Sequence, residues 1–410
     1  MTICVANSVY CVERTGVAKL TKMAFEGINL RPLWQDLAAR VTDDAQGAGI
    51  GMDLSVIAQL LGDQATGLAI QKEVLGYQRL FRSPCATPVP RLRVLALAAE
   101  MDIGGNTPVE FLLECSDIEL TTLYVIPGQV WPDPLPSHDL AIVVAPDDAR
   151  TQETLDEIER HIGDWPCEIL NPPARIRQQD RDRLYRLLRS TPGLEIPMTA
   201  RISRGDLEGL SDAGVSRWLD EGCFPLIVRP ICSHAGHGLA KLDTPSDIAA
   251  YLGGRPEPEF FISRFVDFSS PDGLFRKYRL VCVDGRPYAC HMAISEQWKI
   301  WYLNADMTVS EAKRAEEAYF MASFDDEFAV RHAGALSEMI GRIGLDYFMV
   351  DCAEKKTGEL LVFETDNTAI VHNMDTPGIF PYKAPQMKKV FDAFAAMLYK
   401  RAGNPRARAA

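Results

Sequence analysis

Residues 351–367 read DCAEKKTGELLVFETDN. An apolar run at 360–363 leads straight into Glu364 and Asp366, and a third carboxylate, Asp351, lies across KTGE, which reads as a turn. Side chains alternate along a strand, so Glu364 and Asp366 emerge on one face, roughly 6.6 Å apart. At an effective dielectric of 20, two negative charges at that spacing repel by roughly 2.5 kcal/mol. The stretch therefore predicts a strand, a turn and a second strand, with something positive held at the carboxylate end.

The rest of the chain sets the bounds. Its 410 residues, 47% hydrophobic and 24% charged, suit a soluble globular protein of about two to four domains. The net charge is −13 and the basic residues are scattered, which argues against nucleic acid as a partner but leaves room for a local basic pocket holding a small anion. None of the ten cysteines forms a CxxC pair, and Cys223, Cys232, Cys282 and Cys290 sit in apolar segments, the usage of reduced core thiols in the cytoplasm. The opening MTICVANSVYCVER lacks a basic segment followed by an apolar core, and no apolar run approaches the ~20 residues of a membrane span. A cytoplasmic protein with no membrane contact is expected.

Four blocks follow from the patterning. Residues 1–88 read as helical: Leu54, Ile57, Leu60 and Leu61, then Leu68, Val74 and Leu75, recur near the helical period, which predicts a helical hairpin. SPCATPVPR, with three prolines in nine residues, reads as a linker. Residues 89–190 then show an apolar strand (LRVLALA), a Gly-Gly turn and a second buried strand (LAIVV), the signature of a Rossmann-like α/β unit with a parallel sheet. The Gly-Gly turn fits a tight βα connection better than a phosphate site, because the full glycine fingerprint is missing. A helix is expected over 175–190, ended by Pro192-Gly193.

Basic residues recur at strand ends further on. Residues 225–228 predict a strand closing on Arg229, followed by a flexible loop containing Ser233, His234, Gly236, His237 and Gly238. Its glycines let backbone N–H groups approach an oxyanion, and a guanidinium forks onto phosphate. RKYRLVCVDGRPYACHM reads as a hairpin turning on Asp284-Gly285, with Lys277 and Arg279 on one face. Two cations on one strand face, one domain away from three carboxylates, are what a metal-bridged polyphosphate would need.

Taken in order, these segments resemble the ATP-grasp superfamily, which includes D-alanine:D-alanine ligase, glutathione synthetase and the ribosomal-protein glutamate ligases; the resemblance runs from about residue 169 to 383. It implies an α/β (α+β) fold in which 191–266 form a small subdomain with the glycine loop and 267–410 a large subdomain with the metal site. The family's Asp-Lys-Leu motif is matched by Asp182-Arg183-Leu184, and its Val-Lys-Pro strand end by Val228-Arg229-Pro230, with arginine for lysine in both. Its glycine loop is matched by 233–238, and its adenine-holding hinge by Arg264, Phe265, Val266 and Asp267. Asp267 and Asp272 remain alternatives for the ribose. Arg279, with Lys277, matches the basic residue near the γ-phosphate. The metal set implied is Asp351, Glu364 and Asp366, holding Mg²⁺ or alternatively Mn²⁺; Asn367 is an alternative to Asp366, and Asp346 to Asp351.

The resemblance implies an ATP-dependent carboxylate–amine ligase working through an acylphosphate. Its partners would be a small carboxylate and an amine, an amino acid or short peptide, with a homodimer left open. A small-molecule kinase on the same scaffold and a nucleotide-binding regulator without turnover are the alternatives. His291, His372, Trp298, Trp301 and Tyr302 stand as candidates for the acceptor pocket, against a core or rim role for each.

Overall fold

A computed structural model describes residues 11–41, 45–220, 222–231, 233 and 236–403. Three sheets organise the chain. The first contains β1 (Val12–Glu13), β2 (Leu80–Arg82), β3 (Leu92–Ala98), β4 (Ile118–Tyr124), β5 (Leu140–Val143) and β6 (Ile169–Leu170), in the order β1-β2-β4-β3-β5-β6. Its central strands are parallel. All of β5 and nearly all of β3 are buried, as expected of strands covered on both faces, which read as unbroken apolar runs.

The expected helical hairpin is present as α3 (Ala45–Leu60) and α4 (Gln64–Leu75), preceded by α1 (Val17–Phe25) and α2 (Arg31–Arg40). The helical reading of 1–88 nevertheless missed β1 and β2, which at two and three residues are too short for any period to register. Residues 1–10 lie outside the described residues. Helix and strand meet closely here: a Cβ on Gly49 of α3 would sit 2.1 Å from the Glu13 carbonyl oxygen, so only glycine lets α3 lie against β1.

After β7 (Leu194–Glu195) comes a four-stranded antiparallel sheet of β8 (Thr199–Ser203), β9 (Leu226–Pro230), β10 (Ala240–Leu242) and β11 (Glu259–Arg264), in the order β10-β9-β11-β8. It packs its own core around Ile202, Val228, Phe260 and Ile262. The third sheet joins β12 (Phe275–Val283), β13 (Arg286–Ser295), β14 (Tyr347–Glu354) and β15 (Leu360–Asp366) in the order β13-β12-β14-β15-β7. The hairpin turns where expected, with Asp284 at φ 47° and Gly285 at φ 84°, the two left-handed residues a type I′ turn needs.

The Lys383–Ala402 helix ties the third sheet to the first. Phe394 packs edge-on against Tyr347 at 5.2 Å, while Arg401 reaches Asp346 at 2.7 Å and Glu168 at 2.8 Å. These two sheets share one core, and the four-stranded sheet stands apart from it.

Two expectations need correction. The single helix over 175–190 is two, Pro173–Ile176 and Arg181–Leu188, because Asp180 is extended and its carboxylate accepts from the Arg181 N–H as an N-cap. Of the expected core thiols, Cys282 and Cys290 are buried but Cys223 is exposed, and Cys232 lies outside the described residues. Among the described residues, no helix is long and apolar enough to cross a membrane.

Candidate active site

Strand pairing lines up four polar residues across the third sheet. Asp351 on β14 stands opposite Glu364 on one side and Arg279 on the other, and Arg279 stands opposite His291. Directly paired residues share a face, so His291, Arg279, Asp351 and Glu364 form one row. Asp351 is 1% exposed, and both its oxygens are engaged. Arg279 forks onto it with Nε at 2.8 Å and the second guanidinium nitrogen at 3.0 Å, and Lys277 Nζ lies at 3.0 Å. Burial alone would push the Asp351 carboxyl up, but Arg279 and then Lys277 hold it well below the usual range.

Glu364 is approached from a different part of the chain. Arg181, at the start of its helix, ion-pairs with it and donates to the Phe363 carbonyl at 3.2 Å. From the four-stranded sheet, an Arg229 guanidinium nitrogen comes within 3.7 Å of the same carboxylate. Burial opposes ionisation here as well, yet Arg181, and after it Arg229, bring Glu364 down to about 2. Burial, aided by the neighbouring Arg181 charge, lowers the Arg229 guanidinium to about 9. Four cations, Arg181, Arg229, Lys277 and Arg279, therefore converge on two carboxylates where two sheets meet.

Arg181, absent from the expected set, is the arginine of this helix that meets Glu364; Arg183 is not. The Arg183 guanidinium donates to the Arg177 carbonyl at 2.8 Å and faces Asp147 at 3.6 Å, away from Glu364. The cap at Asp180 explains the shift: once the helix starts there, its first side chain points at β15. Asp180-Arg181 is itself an acid–base pair like Asp182-Arg183, so the signal was present, two residues upstream.

The glycine loop leaves β9 beside Arg229. Ser233 accepts from Arg229 Nε at 3.1 Å and donates to the Pro230 carbonyl at 2.8 Å. His237 is exposed, and His234 lies outside the described residues. Gly236 and Gly238 both have positive φ, and a Cβ on Gly238 would meet Pro230 at 2.5 Å, so Gly238 itself lies tightly against the end of β9.

At the hinge between β11 and β12, Arg264 ion-pairs with Glu195. Phe265 lies edge-on to Trp298 at 5.8 Å, with Lys241 Nζ 4.9 Å above its ring. Val266 packs on a small core with Phe268 and Phe363. Asp267 is exposed and accepts from the Ser269 N–H at 2.9 Å, whereas Asp272 is taken by Arg276 at 2.8 and 3.1 Å. Trp298 thus belongs to the hinge.

The expected three-carboxylate metal set is not gathered. Among the described residues, no three His, Cys, Asp or Glu side chains converge tightly enough to hold an ion. Asp351 and Glu364 are drawn to the cations, and Asp366 folds back to accept from the Thr368 N–H at 2.7 Å and its hydroxyl at 2.8 Å. The alternatives fit less well: the Asn367 side-chain amide donates to the Ala145 carbonyl at 3.0 Å, and Asp346 is spent on Asn171 and Arg401. Asp351 and Glu364, directly opposed hard-oxygen donors, do suit Mg²⁺, which is commonly held by one or two carboxylates together with phosphates and waters.

A second charged cluster adjoins the row at His291. Lys383 Nζ meets the Tyr302 hydroxyl at 2.5 Å, Asp375 at 3.4 Å and Glu317 at 3.6 Å. Glu317 also accepts from Tyr382 at 2.6 Å, Tyr302 at 2.9 Å and the Met292 N–H at 3.0 Å. The His291 ring lies 4.7 Å from that of Tyr302, and its Nδ1 is buried without a partner. Burial, then the Arg279 and Lys383 charges, push this imidazole well below its ordinary range. His372 stands near Phe25 of α1, and Trp301 is half exposed. Lys383 and Glu317 had no sequence signal beyond being charged residues in amphipathic helices.

No family model matches the sequence, and no curated protein matches it. Among solved structures, the chain is similar to D-alanine–D-alanine ligase from Bacillus anthracis complexed with ATP, with 14% identity and a TM-score of 0.44 over 76% of this chain and 98% of that one. It is similar to the ligase from Coxiella burnetii at 12% and 0.46, over 76% and 96%. A RimK-domain ATP-grasp protein from Sphaerobacter thermophilus gives 16% and 0.40, over 74% and 99%. At such distances, the chemistry of this chain has to be read from its own side chains.

Proposed function

We propose that the chain is an ATP-dependent carboxylate–amine ligase. The observation that carries this reading is the convergence of four cations on Asp351 and Glu364 across two sheets. The two carboxylates offset only part of the charge of the four guanidinium and ammonium groups. With a nucleotide present, phosphate oxygens would take over as partners of Arg181, Arg229, Lys277 and Arg279, freeing the two carboxylates. Asp351 and Glu364 would then hold Mg²⁺, or Mn²⁺, which supplies neutralising charge to the phosphate oxygens.

The residues divide the work. Arg264, Phe265, Val266 and Asp267 would carry the nucleoside at the hinge, with Asp267 the better ribose partner because Arg276 occupies Asp272. The Ser233 to Gly238 loop would close over the phosphates and exclude water, since an acylphosphate hydrolyses when exposed. Arg279 and Lys277 would stabilise the charge that builds as a substrate carboxylate oxygen attacks the γ-phosphorus and ADP leaves. The amine nitrogen then attacks the acyl carbon, and phosphate departs with the C–O bond electrons. No side chain needs to act as nucleophile.

The test is to measure ADP and phosphate release from Mg-ATP with pools of amino acids and small carboxylic acids, weighing the products. Phosphate release matched to a product lighter than its two parents by one water is the expected result. A stable phosphoester with ADP and no free phosphate would mean a kinase. Nucleotide binding without turnover across the pools would favour a regulator.

A further inference from the structure

The four-stranded sheet carries a row of side chains that reaches the phosphate site. Arg201 on β8 pairs directly with Phe261 on β11, and Phe261 with Arg229 on β9, so the three share one face. One end of the row is already placed, since Arg229 comes within 3.7 Å of Glu364. The other end has no role so far. The Arg201 guanidinium carbon lies over the Phe261 ring, 5.0 Å from its centre, and the buried ring limits where the guanidinium points.

From there Arg201 reaches the start of the Arg181–Leu188 helix. It ion-pairs with Asp180, and the same guanidinium nitrogen lies 3.3 Å from Asp182. Asp180 uses its two oxygens differently: one accepts from the Arg181 N–H and caps the helix, and the other takes Arg201. Asp182 also pairs with Arg186 at 3.1 Å. Asp180 and Asp182 stand on either side of Arg181, so Arg201 engages both flanking carboxylates while Arg181 itself reaches Glu364. A carboxylate without a cation draws the nearest guanidinium, and the nearest one along the chain is that of Arg181.

We propose that Arg201 is a positioning residue: by engaging Asp180 and Asp182 it keeps Arg181 directed at Glu364 and available to a phosphate oxygen. What Arg181 is used for rests on the ligase reading; where it points does not. A sheet with its own core thus contributes to the site through both ends of one row, Arg229 acting directly on Glu364 and Arg201 through the helix start.

Crystal structures of the full chain and of Arg201→Gln, both without nucleotide, test the placement apart from the ligase reading. Arg181 should stay on Glu364 in the parent and turn to Asp180 or Asp182 in the variant; an Arg181 that remains on Glu364 in the variant overturns the proposal. Turnover of Mg-ATP tests the consequence. Arg201→Gln should lower kcat about tenfold, Arg201→Lys, which keeps the charge, by no more than about threefold, and Arg201→Gln should add nothing to Arg181→Ala. Adding Asp180→Asn and Asp182→Asn to Arg201→Gln should bring kcat back to within about threefold of the parent, because the competing charges are gone and asparagine still caps the helix. A merely structural ion pair predicts a further loss instead, and that result overturns the proposal as well. If the parent releases no phosphate with any substrate pool, the ligase reading falls, and the paired structures alone decide whether Arg201 positions Arg181.

Discussion

Two clusters of buried opposite charges lie on neighbouring parts of one sheet, yet they are built differently. Around Asp351 and Glu364, four cations meet two carboxylates, and the Glu364 side chain keeps 31% of its surface exposed. Around Glu317 and Lys383, one ammonium meets two carboxylates and two tyrosine hydroxyls, with side chains only 0% and 4% exposed. The first has positive charge to spare and a way in, so its pairs can be exchanged for a polyanion. The second is closed and internally satisfied, which suits holding the 367–382 segment and the Lys383–Ala402 helix against the sheet.

That contrast can be broken by substitution. Glu364→Gln should cut Mg-ATP-dependent turnover by about 10³-fold or more while leaving the fold intact, with some loss of stability because Arg181 and Arg229 lose their carboxylate partner. Unchanged turnover would remove Glu364 from the site. Lys383→Met should do the reverse, costing about 3–5 kcal/mol in urea unfolding because it leaves Glu317 buried without its cation. A loss of turnover at unchanged stability would instead move Lys383 into the catalytic group.

The choice between neighbouring arginines sharpens the picture. Arg181→Ala should lower turnover by about 10²-fold, and Arg183→Ala by no more than a few-fold, in steady-state assays at saturating ATP. Equal effects would mean that the helix start does not select the residue.

The smallest expected effect is on acid stability. Glu364 is depressed from 4.5 to about 2, so between these values the unfolded chain binds more protons, and stability present above pH 4.5 is lost as the pH falls toward 2. His291, kept neutral below its ordinary 6.5, works in the same direction: the unfolded chain protonates first, so stability also declines as the pH drops below 6.5. Urea midpoints measured from neutral pH to about pH 3 should fall in both ranges. Arg181→Ala should shrink the lower step, since Glu364 would titrate closer to its ordinary value.

Much of this site was legible because it is local. A thirteen-residue spacing across a KTGE turn is enough to set Asp351 against Glu364, and the pairing register places them there. Lys277 and Arg279 followed from the same two-residue alternation. Arg183 was chosen by its match to a three-residue motif, which carries no information on side-chain direction; the helix that starts after Asp180 turns Arg181 toward β15 and Arg183 toward Arg177 and Asp147. Asp366 failed because a carboxylate two residues ahead of a Thr N–H has a short-range partner that competes with any shared site.

Sequence alone was sufficient for what depends on strand alternation, apolar runs and turn chemistry: the buried β3 and β5, the Asp284-Gly285 hairpin, and the opposed carboxylates of β14 and β15. Only the tertiary structure decided which cations meet them, since Arg181 and Glu364 are 183 residues apart and Arg229 comes from another sheet. It also decided that Lys383 and Glu317 close on each other. Such contacts depend on how whole elements dock. Docking is set by the combined packing of many side chains, which no short window of residues contains.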